Sequence, residues 1–248
     1  NKGIDFFCLG FENNRLHNEI KKSNHKIINL GKVVTELKKL KSNGYNQIIM
    51  AGAISRPNLK EIKPDFNSIK LIPSFTKRLM QGGDNNLLLF AINSLEKIGF
   101  KILSINRILP ELFIGKGNYT RNNISNIAKN DILKAKKILD NNSKFDIGQS
   151  LVIQQGSVIA IEAAEGTDGL IKRSSMYFKK GEKPILVKLA KIKQDQRADL
   201  PTIGMKTIRN CKKKEIGGIA FSANKTIFIN KNEIIKYSNI NKLFLFGI

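Results

Sequence analysis

Two stretches in the second half of the chain contain side chains suited to chemistry on phosphate groups. The first, Glu162 to Asp168, has three carboxylates in seven residues and no Lys or Arg, although Lys and Arg make up 43 of the chain's 248 residues. A carboxylate-rich stretch in so basic a chain indicates an anionic pocket. The alternative is a purely structural role, because Thr167 or Asp168 could cap a following helix by accepting a hydrogen bond from a free backbone N–H.

The second stretch mixes both signs of charge and lies directly before Leu200 to Gly204. Carboxylate oxygens bind Mg²⁺, which takes phosphate oxygens and water as further ligands, while Lys and Arg neutralise charge on a reacting phosphate. Surface ion pairs around a proline-containing turn are the competing interpretation. The polar residues of this stretch are Lys188, Lys191, Gln194, Asp195, Arg197 and Asp199.

A third candidate is the sequence Gly82-Gly83-Asp84, which precedes the clearest helix of the first half. The free amides at a helix N-terminus attract anions, so this segment could contact a phosphate. His17 and His25 are eight residues apart and match no metal-ligand spacing. The sequence also has no complete phosphate-loop or nucleophile-elbow motif.

The elements that must position these residues alternate between short apolar strands and helices. In the first half this alternation predicts an α/β fold with a mainly parallel, Rossmann-like sheet covered by helices. The predicted strands are Asp5 to Gly10, Gln47 to Ala51 and Phe100 to Ile105, and the predicted helices are Lys32 to Ser42 and Asp84 to Ile98.

The second half is predicted to be a mixed α/β domain. A helix at Ser125 to Leu139 precedes two β-branched runs, Leu151 to Gln155 and Val158 to Ala163, whose Gly156-Ser157 connection predicts a hairpin. The break at Gly115 to Asn118 places the boundary at residue 117, which divides the chain into domains 1–117 and 118–248. Further strands are predicted at Pro184 to Leu189, Ile216 to Phe221 and Thr226 to Ile229, and helices at Thr202 to Lys214 and Asn232 to Ile240.

Composition narrows the class of protein. The net charge of +23 suggests a nucleic-acid or anionic-membrane partner, but only eight residues are Arg, aromatics make up 7% and Trp is absent, which argues against nucleic-acid binding. The longest apolar run, Leu87 to Ile92, is six residues and too short to span a bilayer. Cys8 and Cys211 have neither disulfide-framework nor zinc spacing, which favours a reducing, cytoplasmic setting.

The motifs resemble those of a known enzyme family over essentially the whole chain. Ala163 to Gly169, Val187 to Lys191 and above all Gln194 to Gly204 are similar to the C-terminal domain of the metal-dependent UDP-2,3-diacylglucosamine pyrophosphatases, which are unrelated to the calcineurin-like phosphoesterases. Other matches in the family's order are Met50 to Ala53, Arg56-Pro57, Gly83-Asp84, Leu87-Leu88, Thr120-Arg121, Asp146 to Gln149 and Leu243 to Gly247.

The resemblance implies an enzyme of lipid A biosynthesis with two α/β domains that close over the substrate. Such an enzyme would hydrolyse the diphosphate of UDP-2,3-diacylglucosamine to UMP and 2,3-diacylglucosamine 1-phosphate (lipid X), with Mg²⁺ as cofactor and water attacking the β-phosphorus. It would be cytoplasmic and peripheral at the inner membrane, with no nucleic-acid partner. A hydrolase of another nucleotide diphosphate and a basic nucleic-acid-binding protein are the alternatives.

Carried over position by position, the resemblance makes Asp199 the expected essential carboxylate, as a metal ligand or as the group that orients the attacking water. Asp168, Asp195 and Glu165 would be its companions at the metal. Substrate contacts are expected from Gly82, Gly83, Asp84, Thr120, Gln149, Thr167, Lys188, Lys191, Arg197 and Thr202.

The chain departs from the family pattern in two places. Family members open with a strand and a Gly-rich turn of the GxxAGxGxLP kind, so the N-terminal Rossmann-like sheet is expected to be truncated at its start. Ile192-Lys193 also stands where the family has Pro-Gly, a change expected to alter the loop but not its charges.

Overall fold

A computed structural model describes residues 3–12, 18, 20–52, 62–81, 84–192, 195–197 and 199–248, without side-chain detail at 71–72, 78–81 and 84–85. The chain divides into two units, Asn1–Leu103 and Ser104–Ile248, and each contains both strands and helices. This confirms the prediction of two α/β domains. The placement of the domain boundary at residue 117 stays a prediction.

The first unit contains two pairs of parallel strands. Strand β1 pairs with β2, and β3 pairs with β4, so the parallel pairing agrees with the predicted fold class, although the described strands form two separate small sheets. Strand β2 was not predicted, because only its last residue, Ile28, is buried and the segment has no apolar periodicity. The elements are β1 (Cys8–Phe11), β2 (His25–Ile28), α1 (Val33–Ser42), β3 (Gln47–Ile49), α2 (Ile72–Gln81), α3 (Asp84–Ile98) and β4 (Lys101–Leu103).

The second unit is built on a mixed six-stranded sheet of order β5-β12-β10-β8-β6-β7. The central strands β12, β10 and β8 are parallel, whereas β5, β6 and β7 join antiparallel to their neighbours. The elements are α4 (Ile105–Ile108), β5 (Gly117–Asn118), α5 (Asn126–Asn142), β6 (Ser150–Gln154), β7 (Ser157–Ile161), α6 (Gly166–Ser174), β8 (Ile185–Lys188), β9 (Thr202–Ile203), α7 (Met205–Lys213), β10 (Gly218–Phe221), β11 (Ile227–Phe228), α8 (Lys231–Ile240) and β12 (Phe244–Gly247).

Each face of this sheet has its own apolar core. Successive residues of a strand point to opposite faces, so Leu151 and Ile153 pack with helix α5, whereas Val152 packs with α6, α7 and α8. The same alternation along β8 puts Leu186 on the α6 face. Lys188, two residues further on, therefore points to the α6 face as well.

One predicted helix was wrong at its beginning. Thr202–Ile203 forms strand β9, which pairs with β11, and helix α7 begins only at Met205. The pairing with β11 and the β-branched side chains of Thr202 and Ile203, which favour extended backbone, explain the difference. The hairpin β6–β7 forms as predicted.

Helix α5 extends beyond its predicted end at Leu139 and continues through Asn142. Lys136 and Asp140 form an ion pair one turn apart at 2.6 Å, which supports the additional turn.

Candidate functional site

The site is organised around Lys188, the last residue of the central strand β8. Only 7% of Lys188 is exposed, which is unusual for a lysine. Burial lowers the pKa of its ammonium group, and the charges of Glu162, Asp168 and Asp199 oppose that shift. One buried cation thus lies within the electrostatic field of three carboxylates, two from the stretch Glu162 to Asp168 and one from the loop before β9.

Helix α6 supplies the direct hydrogen-bond partner of Lys188. Gly166 opens the helix with a φ of 70°, a left-handed conformation that glycine adopts readily. The next residue, Thr167, accepts a hydrogen bond from Lys188 Nζ at 2.9 Å through its Oγ1 atom. The same hydroxyl donates to Glu162 Oε1 at 2.8 Å. Thr167 therefore links the lysine to a buried carboxylate.

Glu162 follows strand β7 and is 6% exposed. Its Oε2 atom accepts a hydrogen bond from the backbone N–H of Gln149 at 3.1 Å. This approach requires Gly148, since a Cβ atom there would collide with the carbonyl oxygen of Glu162. The Asp146 to Gln149 motif thus brings a backbone donor to the carboxylate beside Thr167.

Asp168 is bound from helix α7. It accepts hydrogen bonds from Lys206 Nζ at 2.8 Å and from Asn210 Nδ2 at 3.0 Å. Burial raises the pKa of the Asp168 carboxyl, but these two hydrogen bonds and the charges of Lys206 and Lys188 outweigh burial and lower it overall. About 40% of the side chain stays exposed, so Asp168 is ionised and accessible to a ligand.

The loop before β9 contains Asp195, Arg197 and Asp199. The Arg197 guanidinium donates to both oxygens of Asp195, at 2.9 Å from Nε to Oδ1 and 2.7 Å from Nη2 to Oδ2. The hydrogen bonds from Arg197 are the main reason why the pKa of the Asp195 carboxyl is lowered. The backbone N–H of Asp199 donates to the Asp195 carbonyl at 3.1 Å, and the charge of Asp199 acts on the Lys188 ammonium group.

Other predicted charged residues form ion pairs at the edge of this region. Glu165, which directly precedes helix α6, pairs with Arg173 of that helix, and this bond lowers the pKa of the Glu165 carboxyl. Lys191 Nζ pairs with Asp146 Oδ1 at 2.6 Å. Gln149 contributes its backbone N–H to Glu162, while its side-chain Oε1 is buried and has no hydrogen-bond partner in the described part of the chain.

The remaining residues predicted to contact substrate have other partners or lie outside the described residues. Thr120 accepts a bond from the backbone N–H of Leu245 at 3.3 Å at the β5–β12 edge, and Thr202 donates to the Leu200 carbonyl at 3.2 Å. Gly82 and Gly83 lie outside the described residues, as does the side chain of Asp84 at the start of α3. Of the predicted site residues, Thr167 thus contacts Lys188 directly, and the charges of Asp168 and Asp199 act on the same ammonium group.

A divalent metal ion would meet a limited set of ligands here. Among the residues that the structure describes, no group of three or more His, Cys, Asp or Glu side chains could hold a metal ion. Glu165 and Asp195 each bind an arginine, so their assignment as metal ligands stays a prediction. Asp168 and Asp199 are the two predicted ligands that act on the same ammonium group. Mg²⁺ is commonly bound by one or two carboxylates together with substrate phosphates, and the assignment of this pair as metal ligands stays a prediction.

Three residues of the site were not assigned from the sequence. Glu162 was predicted only as a member of the carboxylate-rich stretch, and no role was predicted for Lys206 or Asn210. The spacing of four residues between Lys206 and Asn210 puts them on one face of α7, which is the signal that could have indicated a shared partner.

No helix in the described part of the chain has both the length and the apolar character needed to cross a membrane.

Comparison with known proteins identifies the family. Residues 1–112 match the LpxI N-terminal domain, and residues 115–246 match the LpxI C-terminal domain. The chain is also 29% identical to the UDP-2,3-diacylglucosamine pyrophosphatase LpxI of Caulobacter vibrioides over 227 residues, which cover 89% of this chain and 81% of that protein. The predicted family is thereby confirmed, and the chain belongs to the LpxI family of hydrolases.

Proposed function

We propose that this protein hydrolyses the diphosphate of UDP-2,3-diacylglucosamine and releases UMP and lipid X, as a step of lipid A biosynthesis. The name of the Caulobacter relative supports the substrate. The observation that carries the proposal is the position of Lys188, a buried cation beside Asp168 and Asp199 at the end of a central strand. Cations and carboxylates at one point are the groups that phosphoryl transfer requires.

The Lys188 ammonium group has capacity for a ligand. It has three N–H donors, and among the described residues it donates one hydrogen bond, to Thr167. A diphosphate oxygen would accept from the other two donors. Because the group is nearly excluded from water, its attraction for the negative charge that develops on the phosphate is stronger than at an exposed site.

Asp199 is the proposed essential carboxylate, and its place beside Lys188 supports this role. Asp168 and Asp199 would hold Mg²⁺, which when bound would neutralise charge on the diphosphate. In the hydrolysis a water oxygen forms a bond to the β-phosphorus and the bond from that phosphorus to the UMP oxygen breaks. Lys188 would stabilise the charge on the phosphate oxygens during this exchange.

We also propose that the protein works at the cytoplasmic face of the inner membrane. A substrate with two acyl chains resides in a bilayer, and a net charge of +23 would attract the protein to anionic lipids. Sedimentation with vesicles of phosphatidylglycerol and phosphatidylcholine tests this proposal. Binding that weakens as salt rises is expected, and absence of binding to either vesicle at low salt would contradict it.

The hydrolysis is tested with purified protein and UDP-2,3-diacylglucosamine, with and without Mg²⁺, by chromatography of UMP and lipid X. Release of both products that depends on Mg²⁺ is expected, and Asp199→Asn should reduce it by at least about 100-fold. Asp140→Asn on helix α5, which removes a carboxylate from an exposed ion pair, is the matched control and should stay within two-fold.

Two results would contradict this proposal. Turnover by Asp199→Asn within a few-fold of the wild type would remove Asp199 from the catalytic centre. Equal rates on UDP-2,3-diacylglucosamine and on deacylated UDP-glucosamine would instead indicate a hydrolase of another nucleotide diphosphate.

A further inference from the structure

The hydroxyl of Thr167 is the central member of a chain of three buried or partly buried groups. Its Oγ1 atom lies 2.9 Å from Lys188 Nζ and 2.8 Å from Glu162 Oε1. Ser150 Oγ, from the first residue of β6, lies 3.4 Å from the same oxygen. These residues come from β8, α6, the end of β7 and β6, so four elements meet at one hydroxyl.

The direction of each hydrogen bond in this chain follows from the chemistry of its ends. A lysine ammonium can only donate, and an ionised carboxylate can only accept. The single proton of Thr167 must therefore point to Glu162, and its lone pairs face Lys188. A hydroxyl that is oriented from both sides holds the ammonium in one position.

Glu162 is itself fixed from two directions. One oxygen accepts from Thr167, and the other accepts from the backbone N–H of Gln149. Its 6% exposure leaves little room for another conformation. Side chains that are locked by a second layer of hydrogen bonds define the position of the residue they support more closely than a single contact does.

We infer that Glu162 and Thr167 are positioning residues that hold the Lys188 ammonium where the diphosphate reacts, and that Thr167 acts through Lys188 instead of contacting substrate. This inference rests on the proposed function, and it departs from the substrate contact expected of Thr167 from the family resemblance.

A double-mutant cycle tests the inference with Thr167→Val, Lys188→Met and the combination of both. Thr167→Val keeps the shape of the side chain and removes the hydroxyl, and it should lower kcat/KM by about 10- to 100-fold. In the Lys188→Met background the same change should have less than a two-fold effect, because no ammonium remains to be positioned. Thr167→Ser, which restores the hydroxyl, should recover activity to within about three-fold of the wild type.

Thr226→Val is the matched control for the loss of a buried threonine hydroxyl. Thr226 is fully buried, and its Oγ1 atom has no hydrogen-bond partner among the residues that the structure describes. The control should retain full kcat/KM. Thermal denaturation of all variants separates a loss of folding from a loss of positioning.

Calorimetric titration with inorganic pyrophosphate provides a second readout that does not require turnover. Thr167→Val should weaken pyrophosphate binding and Thr167→Ser should not, even if UDP-2,3-diacylglucosamine proves not to be a substrate. Failure of the proposed function and failure of this inference are therefore distinguishable.

Three results would overturn the inference. One is a Thr167→Val variant with kcat/KM and pyrophosphate affinity within two-fold of the wild type. Another is an equal loss of activity in the presence and absence of Lys188, since additive effects would mean that Thr167 contacts substrate directly. The third is a wild-type protein that binds no pyrophosphate, since Lys188 would then have no anion to receive.

Discussion

The two ends of the β6–β8 ladder are both polar, but they are polar in different ways. At one end, Ser150 lies opposite Lys188, and the lysine joins the charged network of Thr167 and Glu162. Beyond the other end, Gln154 closes strand β6, is 3% exposed and, among the described residues, uses its side chain to bond only to backbone groups. Its amide donates to the carbonyls of Lys179 and Glu182, each at 2.8 Å, and accepts from the Lys179 N–H at 2.9 Å.

The comparison separates a structural polar group from a functional one. The amide end is neutral and satisfied by backbone partners, as is usual for buried polar groups in a folded protein. The charged end contains an ammonium group that is costly to bury and that donates only one hydrogen bond among the described residues. A phosphate oxygen of a bound ligand would accept from the other donors of that ammonium group.

Substitution of the lysine should have the largest effect on activity. Lys188→Met keeps most of the side-chain volume but removes the charge that binds the diphosphate, and we expect kcat/KM to fall by roughly 1000-fold. Steady-state kinetics of UMP release measure this change. A variant that retains a tenth of wild-type activity would show that the charged end is not the phosphate site.

Substitution of Gln154 should lower stability and leave activity nearly unchanged. Gln154→Leu leaves the carbonyls of Lys179 and Glu182 and the Lys179 N–H without a protein partner, and we expect a loss of about 3 kcal/mol in the free energy of unfolding. Activity should stay within two-fold. Urea denaturation followed by circular dichroism gives the stability, and a large loss of activity in a folded Gln154→Leu protein would remove the distinction between the two ends.

The sequence predicted most elements of the fold because apolar periodicity marks them. The bounds of α3 agree with the prediction, Asp84 to Ile98, and the β6–β7 hairpin forms around Gly156. The start of α7 was predicted three residues too early, at Thr202, because Thr202 and Ile203 were included in the helix instead of in strand β9. Strand β2 was not predicted, because its sequence His-Lys-Ile-Ile has no alternation of apolar and polar residues.

The candidate site was less accessible to sequence analysis, because charge alone does not say which partner a side chain will take. The acidic stretch and the Lys188 to Asp199 segment were found from composition and resemblance. The bonds of Asp195 to Arg197 and of Asp168 to Lys206 depend on loop conformation and on the packing of α6 against α7. The position of Glu162 depends on Gly148, which lets the backbone N–H of Gln149 reach its carboxylate, and no sequence pattern indicates this contact.

Substitution of Asp195, in the loop next to the charged end, should have a moderate, pH-dependent effect on stability. The Asp195 carboxyl has a lowered pKa in the folded protein because of Arg197, so its contribution to stability is present above its ordinary pKa and is lost as pH falls through the lowered value. Asp195→Asn should cost about 1 kcal/mol at pH 7, and the difference from wild type should disappear in strong acid.

Urea midpoints between pH 2 and pH 7 check this dependence. Gln154→Leu is the comparison, because the Gln154 amide does not titrate and its difference from wild type should change less over the same range. A pH-independent effect of Asp195→Asn would contradict the proposed ion pair.

The smallest effect is expected for the reactivity of a buried thiol near Asp168. Cys211 on α7 is fully buried, and its burial and the nearby Asp168 charge raise the pKa of the thiol. In a Cys8→Ser protein we expect no measurable reaction with a disulfide reagent at pH 8 until denaturant is added. Rapid labelling of the native protein would show that water reaches the α6–α7 interface.

The central claim is that Lys188, held by Thr167, receives the diphosphate. A crystal structure of the Asp199→Asn protein with UDP-2,3-diacylglucosamine tests it most directly. We predict a diphosphate oxygen about 3 Å from Lys188 Nζ, with Thr167 Oγ1 still bound to the same ammonium group. A diphosphate bound elsewhere, with no phosphate oxygen in contact with Lys188, would contradict the account.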